Sequence, residues 1–537
     1  MFRKLTVFAL VLVMTFALIG CGGTDGGNSE GTDGNKTSGG DRIVKYGSRM
    51  ANVQTLDVWQ NSLNSVFQLS DCVMDRLLDK NPETLELECN LLEDFPTVSD
   101  DGLLYTFKLK KGIKFHDGSD FTTDDVKFTF EFFYAKDTAS NNTWVCDVIK
   151  GCDEMMNGIA EELSGFKIID DYNFSIEIKY PYAAFESILA VSMLPILPHE
   201  ARLDAGDRWG TSVLVGTGPY KLEEFTPSEF IKLSVNKDYH GSVPDVDGIE
   251  VKNMDDSTAL MEWEAGNIDL CGVPTEQVDA YRKNFSNNFR ETTVVGSTRL
   301  QLNMSVAPLN DPIVRQAVFL SIDRDAIVNG YYKGNVKPIN GIIPEGIPGY
   351  NKDAPDIEYN PAKAKQLLSD NGYPNGVTIQ AQIRDSSTDW IQVLQLIKEQ
   401  LAEAGITMEI EQLDSGTYLD RREANTMTCF LSDWYADYID GDMYMFSLFY
   451  STNALHNSTG VNDSWYDEEV SRARSLTDQV ERTKIYRELD NYLVNELRDY
   501  VPLCQEVQFM LCSDRVSGVF MKNDLLMTFS HASIKQQ

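Results

Sequence analysis

The feature that most narrows the possible folds is the order of three segments between residues 377 and 413. "VTIQAQIR" (377–384) reads as a strand, residues 389–404 as a helix, and "ITMEIEQL" (406–413) as a second strand. Strand, helix, strand in that order is a βαβ unit. A chain built around it belongs to the α/β class. Other segments fit the same class. "DRIVKYGSR" (41–49) is predicted as a strand, and "SVFQLSDCVMDRLL" (65–78) carries Val66, Leu69, Val73 and Leu77 at helical spacing. "LLYTFKLKKGIKF" (103–115) and "FKIIDDYNFSIEIKY" (166–180) read as hairpins, the second turning at Asp170–Asn173. Helices are expected over 122–136, capped by Thr and Asp, over 313–332, over 361–373 and over 467–496. "YVPLCQEVQFMLC" (500–512) is expected to return as strands.

With 537 residues, two or more lobes with mixed sheets are expected. The balance is acidic: 82 Asp and Glu against 47 Lys and Arg, a formal net charge of −35. That field repels polyanions, so nucleic acid and anionic lipid surfaces are poor partners, whereas a cationic or zwitterionic small ligand is compatible.

The N-terminus begins "MFRKLTVFALVLVMTFALIGCGG": two basic residues, a short apolar run from Leu5 to Ile19, then Gly20 and Cys21. This is the shape of a secretory signal rather than of a membrane span. Residues 22–41 hold Gly, Ser, Thr and Asp with no apolar residue, the composition of a flexible tether. Nine cysteines occur, none in a CxxC pair, so zinc ribbons and thioredoxin-like motifs are not indicated. In an exported chain Cys504 and Cys512 could face each other across a tight hairpin, and Cys146 and Cys152 are close in sequence.

Enzyme signatures are missing. There is no HExxH or Walker-type GK[ST], and the five histidines (116, 199, 240, 456, 531) show no metal spacing. No cofactor and no metal site is expected. Acidic pairs are abundant, so a secreted glycosidase is not excluded by composition. "GTGPY" (216–220) reads as a turn rather than a phosphate loop, because Pro219 lacks an amide donor. His116 in "KFHDG" reads as structural. The densest chemistry lies in "DWYADYIDGD" (433–442), with four carboxylates and three large aromatics. Asp440 and Asp442 read as solvated or capping residues.

Several colinear stretches resemble one family. "LYTFKLKKGIKFHDGSDFTTDDVKFTFE", "VGTGPYKLEEF…IKLSVNKDYHG", "DPIVRQAVFLSIDRDAIV" and "YNPAKAKQLLSDNGYPNG" are similar to segments of the extracellular solute-binding proteins of ABC importers, in the oligopeptide, dipeptide and nickel group. "LIGC" (18–21) resembles a bacterial lipobox, which implies cleavage before Cys21 and lipidation of its thiol. The resemblance implies a two-lobed periplasmic-binding-protein type II fold with an extra subdomain in the first lobe. Its parts would be a signal peptide (1–20), lipidated Cys and tether (21–41), lobe I (42–299, with an insertion at roughly 76–215), lobe II (300–508) and a C-terminal return (509–537). Strand crossings are expected near 299–304 and 500–512.

The implied function is capture of di- or oligopeptides by a lipid-anchored extracytoplasmic monomer that passes them to a membrane permease and its ATPase. By the family's Trp-x-x-Asp segment, Asp437 would pair with the ligand's α-ammonium, with Trp434 and Tyr435 as aromatic surround. Arg422 and Arg384 would meet the ligand carboxylate, and Ser62 and Asn64 its backbone. A nickel chelate, a glycoside or a peptide pheromone are the alternative ligands within this resemblance.

Overall fold

The computed structural model describes residues 42–535 apart from Ala51, Ser62, Glu83 and Asn141. The expected signal peptide, Cys21 and the expected tether therefore lie outside the described residues. An eleven-stranded mixed sheet organises the rest. Along one path its order is Ile406–Leu413, Val377–Arg384, Cys429–Tyr435, Phe289–Leu302, Tyr500–Cys512, Leu270–Gly272, Ile43–Ser48, Gly248–Asn253, Phe230–Val235 and Tyr220–Thr226. The short strand Lys337–Pro338 joins Tyr500–Cys512 off that path. The βαβ expectation holds: Val377–Arg384 and Ile406–Leu413 pair in parallel, and the helix Thr388–Glu403 that links them packs on the sheet.

The two central strands are the longest, and each serves both sides of the sheet. Phe289–Leu302 pairs antiparallel with Tyr500–Cys512 along nearly its whole length, from Phe289 opposite Leu511 to Gln301 opposite Tyr500. At its far end it also pairs with Cys429–Tyr435, from Gly296 opposite Tyr435 to Leu302 opposite Cys429. Tyr500–Cys512 in turn pairs at its C-terminal end with Leu270–Gly272. The register slips between Thr293 and Ser297 and again between Thr298 and Arg299. Such irregularities bend a strand and re-aim its side chains. Here they fall where the strand changes from one set of neighbours to the other.

A separate four-stranded sheet is built from Thr97–Val98, Leu104–Lys108, Asn173–Glu177 and Phe166–Asp170, in that order. The hairpin turning at Asp170–Asn173 is present, and Asp170 accepts from the Tyr172 amide at 2.9 Å. The expected hairpin at 103–115 is not. Leu104–Lys108 instead pairs with Thr97–Val98 on one side and Asn173–Glu177 on the other, with Phe107 and Phe174 stacked at 4.7 Å. The alternating pattern announced a strand, but its partners are the segment just before it and one far along the chain, not residues 109–115. Thr122 caps the helix Thr123–Tyr134 in a capping box with Asp125, as its sequence predicts.

Three long helices are shorter than their periodicity suggests. Residues 65–78 form a helix only over Asn64–Val73, then a strand at Leu78–Lys80. The helix expected at 313–332 is Pro312–Ser321, followed after Ile322 by a separate π-type segment Ala326–Tyr331. Residues 467–496 fall into Ser464–Ser475 and Gln479–Asn491, the break being made by Asp478, whose carboxylate accepts from the amides of Val480 and Glu481. A π-type segment, Tyr492–Leu497, comes next.

The cysteine expectations are corrected. Residues 500–512 form one continuous strand, so Cys504 and Cys512 are eight residues apart along it, roughly 27 Å at ~3.4 Å per residue. A disulfide needs Cα atoms within about 7 Å. Cys146 and Cys152 are likewise free, as are all eight described cysteines. Cys146 ends the turn Thr143–Cys146, whereas Cys152 opens a helix and points its thiol to the Asp147 carbonyl at 3.2 Å.

"GTGPY" is a turn, as read. Gly216 and Gly218 sit against the end of the helix Asn64–Val73, where a Cβ would meet the Val73 backbone at 2.2 and 2.7 Å. Both ring nitrogens of His116 are occupied by this turn: Nε2 donates to the Gly218 carbonyl at 2.9 Å and Nδ1 accepts from the Gly216 amide at 3.3 Å.

Candidate functional site

The strand Cys429–Tyr435 delivers the opening of "DWYADYIDGD" to the middle of the molecule. Gly296 lies opposite Tyr435, and a side chain there would strike the ring at 2.3 Å. Glycine therefore lets the Tyr435 ring cross the strand. Tyr435 Oη donates to Glu506 Oε2 at 2.7 Å, and Thr298 Oγ1 donates to Glu506 Oε1 at 3.1 Å. Both central strands thus fix the ring. Trp434 is held by its indole N–H, which donates to the Met443 carbonyl at 2.8 Å. Beyond the strand the Ala436 amide still bonds the Val295 carbonyl at 3.0 Å, and Asp437 is the next residue.

These residues border a cavity of about 290 Å³. From one side of the sheet come Trp434, Tyr435, Asp437, Asp433 and Arg422; from the other come Asn64, Phe67, Lys80, Met193 and Asp524. Asn64 opens the helix Asn64–Val73, which packs on the strand Tyr220–Thr226. The cavity is therefore walled by elements on both sides of the central strand pair.

Asp437 is half-buried and makes no hydrogen bond or ion pair among the described residues. Burial pushes its carboxyl up to about 6; Lys80 opposes the rise and Asp524 adds to it. Its neighbours across the cavity are committed elsewhere. Lys80 Nζ lies 2.8 Å from Asp524 Oδ2, and Lys522 Nζ lies 3.1 Å from Asp71 and 3.8 Å from Asp524. Burial would raise the Asp524 carboxyl, but Lys522 and Lys80 outweigh it and hold the group well below the usual carboxylate range. Arg76 pairs with Asp71 and, at 2.9 Å, with Asp79. In this alternating network each cation sits beside carboxylates, and Asp437 is the acid left over.

The sequence-predicted residues separate in the structure. Asp437, Trp434, Tyr435, Arg422 and Asn64 share the cavity. Arg422 Nη2 donates to Asn457 Oδ1 at 2.8 Å, and burial pushes its guanidinium down. Arg384 does not line the cavity; its guanidinium lies over the Tyr418 ring at 4.8 Å. Ser62 lies outside the described residues. Asp440 and Asp442, expected to be solvated or capping, are buried and ion-paired, and Asp440 also accepts from the Asp442 amide at 2.9 Å where the helix Asp442–Phe449 begins. Asp440 meets Arg482 at 2.9 Å, Asp442 meets Arg474 at 3.1 Å, and Asp442 Oδ2 accepts from Tyr182 Oη at 2.6 Å.

Sequence reasoning missed Lys80, Asp524 and Arg299. Arg299 is fully buried on the central strand; its Nε donates to Gln301 Oε1 at 2.9 Å, while Nη1 and Nη2 have no hydrogen-bond partner among the described residues. Burial, reinforced by Arg422, pushes it down to about 10. The alternation of "STRLQL" marks Arg299 as facing the same way as Gln301, but no local pattern announces that it is buried.

A cavity between two sides of a bent sheet, lined by aromatics and one unpaired carboxylate, is the site of a binding protein. Comparison with known proteins agrees. Residues 86–456 match the model of the bacterial extracellular solute-binding proteins, family 5, and the chain belongs to that family of ABC-importer binding proteins, which are not enzymes. Glutathione-binding protein GsiB of Escherichia coli O1:K1 / APEC is 27% identical over 457 residues, 83% of this chain and 86% of that protein. The fold is shared with the ABC transporter-associated periplasmic binding protein DppA from Helicobacter pylori in complex with the peptide STSA. That likeness has a TM-score of 0.76 and 24% identity, covering 92% of this chain and 98% of that one. It is also shared with OppA from Haemophilus influenzae in complex with RPPGFSPFR, at TM-score 0.74 and 20% identity over 92% and 99%. No helix among the described residues is long and apolar enough to cross a membrane.

Proposed function

We propose that this solute-binding protein captures short peptides in the cavity bordered by Asp437 and passes them to the permease and ATPase of an ABC importer. The observation that carries the reading is Asp437 itself: a half-buried carboxylate facing a cavity, with no hydrogen bond or ion pair of its own among the described residues. A ligand ammonium supplies the missing partner, and its attraction is stronger in this partly desolvated place than in water. Trp434 and Tyr435 add apolar area to the cavity's lining. Arg422 is the cavity's guanidinium for the ligand's carboxylate. The relatives support a peptide ligand: GsiB is named for glutathione, and the DppA and OppA structures hold peptides.

The reading carries with it a chain lipidated at Cys21, held outside the membrane by the tether and acting as a monomer. It also carries lobes at 42–299 and 300–508 with a return at 509–537, joined by the two central strands and closing on the ligand. Among the described residues no group of three or more His, Cys, Asp or Glu is placed to hold an ion. Mass spectrometry of ligand released from the purified protein tests the reading. A peptide with a free amino group is expected; a non-peptidic solute without an ammonium would overturn it.

A further inference from the structure

Lys80 borders two cavities: the one that contains Asp437 and a neighbouring one of about 180 Å³ lined by Asp71, Asp75, Arg76 and Lys522. It ends the short strand Leu78–Lys80, and its side chain is 5% exposed. Such burial is rare for lysine unless the charge is paired. Its pairing is thin. An ammonium has three donors, yet Lys80 Nζ makes one hydrogen bond among the described residues, to Asp524 Oδ2 at 2.8 Å. Asp524 is also shared with Lys522 at 3.8 Å. Arg76, by contrast, has two carboxylates, Asp71 and Asp79, and Lys522 has Asp71 as well as Asp524. Lys80 is the least neutralised cation of the network.

Lys80 is also the strongest neighbouring charge acting on Asp437. The cavity wall therefore presents an unpaired carboxylate beside an under-neutralised ammonium. A plain cation gains from Asp437 and loses to Lys80. A group that carries both charges on one carbon gains from both. The N-terminus of an α-linked peptide is an ammonium next to a neutral amide carbonyl. A residue linked through its side chain keeps a free α-amino-acid head, with ammonium and carboxylate on one carbon.

We propose that Lys80 and Asp437 together form a subsite for a free α-amino-acid head, so that the protein selects side-chain-linked peptides such as γ-glutamyl peptides over their α-linked isomers. This rests on Asp437 being the ammonium clamp. In the bound state Asp437 takes the ammonium, and the free donors of Lys80 take the α-carboxylate, while Lys80 keeps Asp524.

Two isomers of Glu-Cys-Gly, one γ-linked and one α-linked, have the same composition and the same formal charge. Calorimetry under reducing conditions should show the γ-linked isomer binding at least about tenfold more tightly to the native protein. Lys80→Gln should bring the ratio of the two affinities close to one, and Lys80→Arg should retain most of it. The ratio is read within each variant, so partial misfolding, which lowers both affinities alike, does not mimic the result. Equal binding of the two isomers by the native protein would overturn the proposal, as would a preference that survives in Lys80→Gln or binding of neither isomer. If both isomers bind equally and both are lost on N-acetylation, the clamp stands and the Lys80 subsite falls. If N-acetylation weakens neither, the clamp itself is wrong.

Discussion

Asp437 and Asp442 are five residues apart in one stretch, and the protein uses them in opposite ways. Asp442 is fully buried, lies 3.1 Å from Arg474 Nε, and accepts from Tyr182 at 2.6 Å and Tyr438 at 3.1 Å. The Arg474 guanidinium is itself packed over the Phe446 ring at 3.5 Å. Asp440 is buried against Arg482, which also donates to Tyr486 Oη at 3.2 Å and to the Ala473 carbonyl at 2.9 Å. Asp437 has no such retinue and faces a cavity. The difference lies in the path the backbone takes past each acid. The turn after Tyr438 starts the helix Asp442–Phe449 and brings Asp440 and Asp442 against the helices Ser464–Ser475 and Gln479–Asn491, which carry their arginines. Asp437 precedes that turn, where the strand has ended and the nearby cation, Lys80, is engaged with Asp524. One stretch thus holds structural acids and a binding acid, separated by whether the fold supplies the counter-charge or leaves it to a ligand.

The largest effect should come from breaking the structural half. Asp442→Ala leaves Arg474, Tyr182 and Tyr438 without their shared acceptor. Removing one partner of a buried pair costs about 3–5 kcal/mol, so urea unfolding should show a loss of that order. Asp437→Asn, which breaks no pair, should cost no stability. Equal losses for the two substitutions would erase the distinction.

The next effect is pH dependence, and its sign differs between binding and stability. Asp437 must be ionised to hold an ammonium. With its carboxyl at about 6, affinity for a peptide should be flat just above pH 6 and fall by up to about tenfold per unit below it. Stability runs the other way. A carboxyl raised on folding contributes stability that is full below its unfolded value of 3.8 and is lost as pH rises through about 6. Asp437→Asn should therefore bind with no such pH dependence, and unliganded it should be more stable than the native protein above pH 6. Calorimetry and thermal unfolding across pH 4–8 check both arms.

A smaller effect separates the two arginines. Arg422 lines the cavity and Arg384 lies over Tyr418 without reaching it. Arg422→Gln should lose about 1.5–3 kcal/mol of affinity for peptides with a free C-terminal carboxylate. C-terminally amidated peptides should hardly distinguish it from the native protein. Arg384→Gln should stay within about threefold of native affinity for both.

Local signals carried much of the fold. The βαβ unit at 377–413, the Asp170–Asn173 turn and the Thr122 cap are properties of a few consecutive residues, and each is where the sequence puts it. The illegible parts depend on distant partners. Residues 500–512 look like two strands around a pair of cysteines, but pairing with Phe289–Leu302 holds them as one. Helical periodicity ran on through 467–496, but the Asp478 carboxylate starts a new helix within it. At the site, the Trp434–Asp437 spacing was visible because it is local. The ion pairs of Asp440 and Asp442, read as solvated or capping, were not visible because their arginines, 482 and 474, are more than thirty residues away. Lys80 and Asp524 are separated by 444 positions, and nothing in either neighbourhood announces the other.

The central claim is that Asp437 is the charge that clamps a ligand's ammonium. Isothermal titration of a tri- and tetrapeptide library that includes glutathione, each member free and N-acetylated, against the native protein and Asp437→Asn tests it most directly. Losing one partner of a desolvated pair costs about 2–5 kcal/mol, roughly 30-fold to several thousand-fold in affinity. The account predicts that loss when the native protein meets the acetylated form of a peptide it binds, a comparable loss when Asp437→Asn meets the free form, and little further loss when both changes are combined. Equal binding of free and acetylated peptides by the native protein, or undiminished binding by Asp437→Asn, would contradict it.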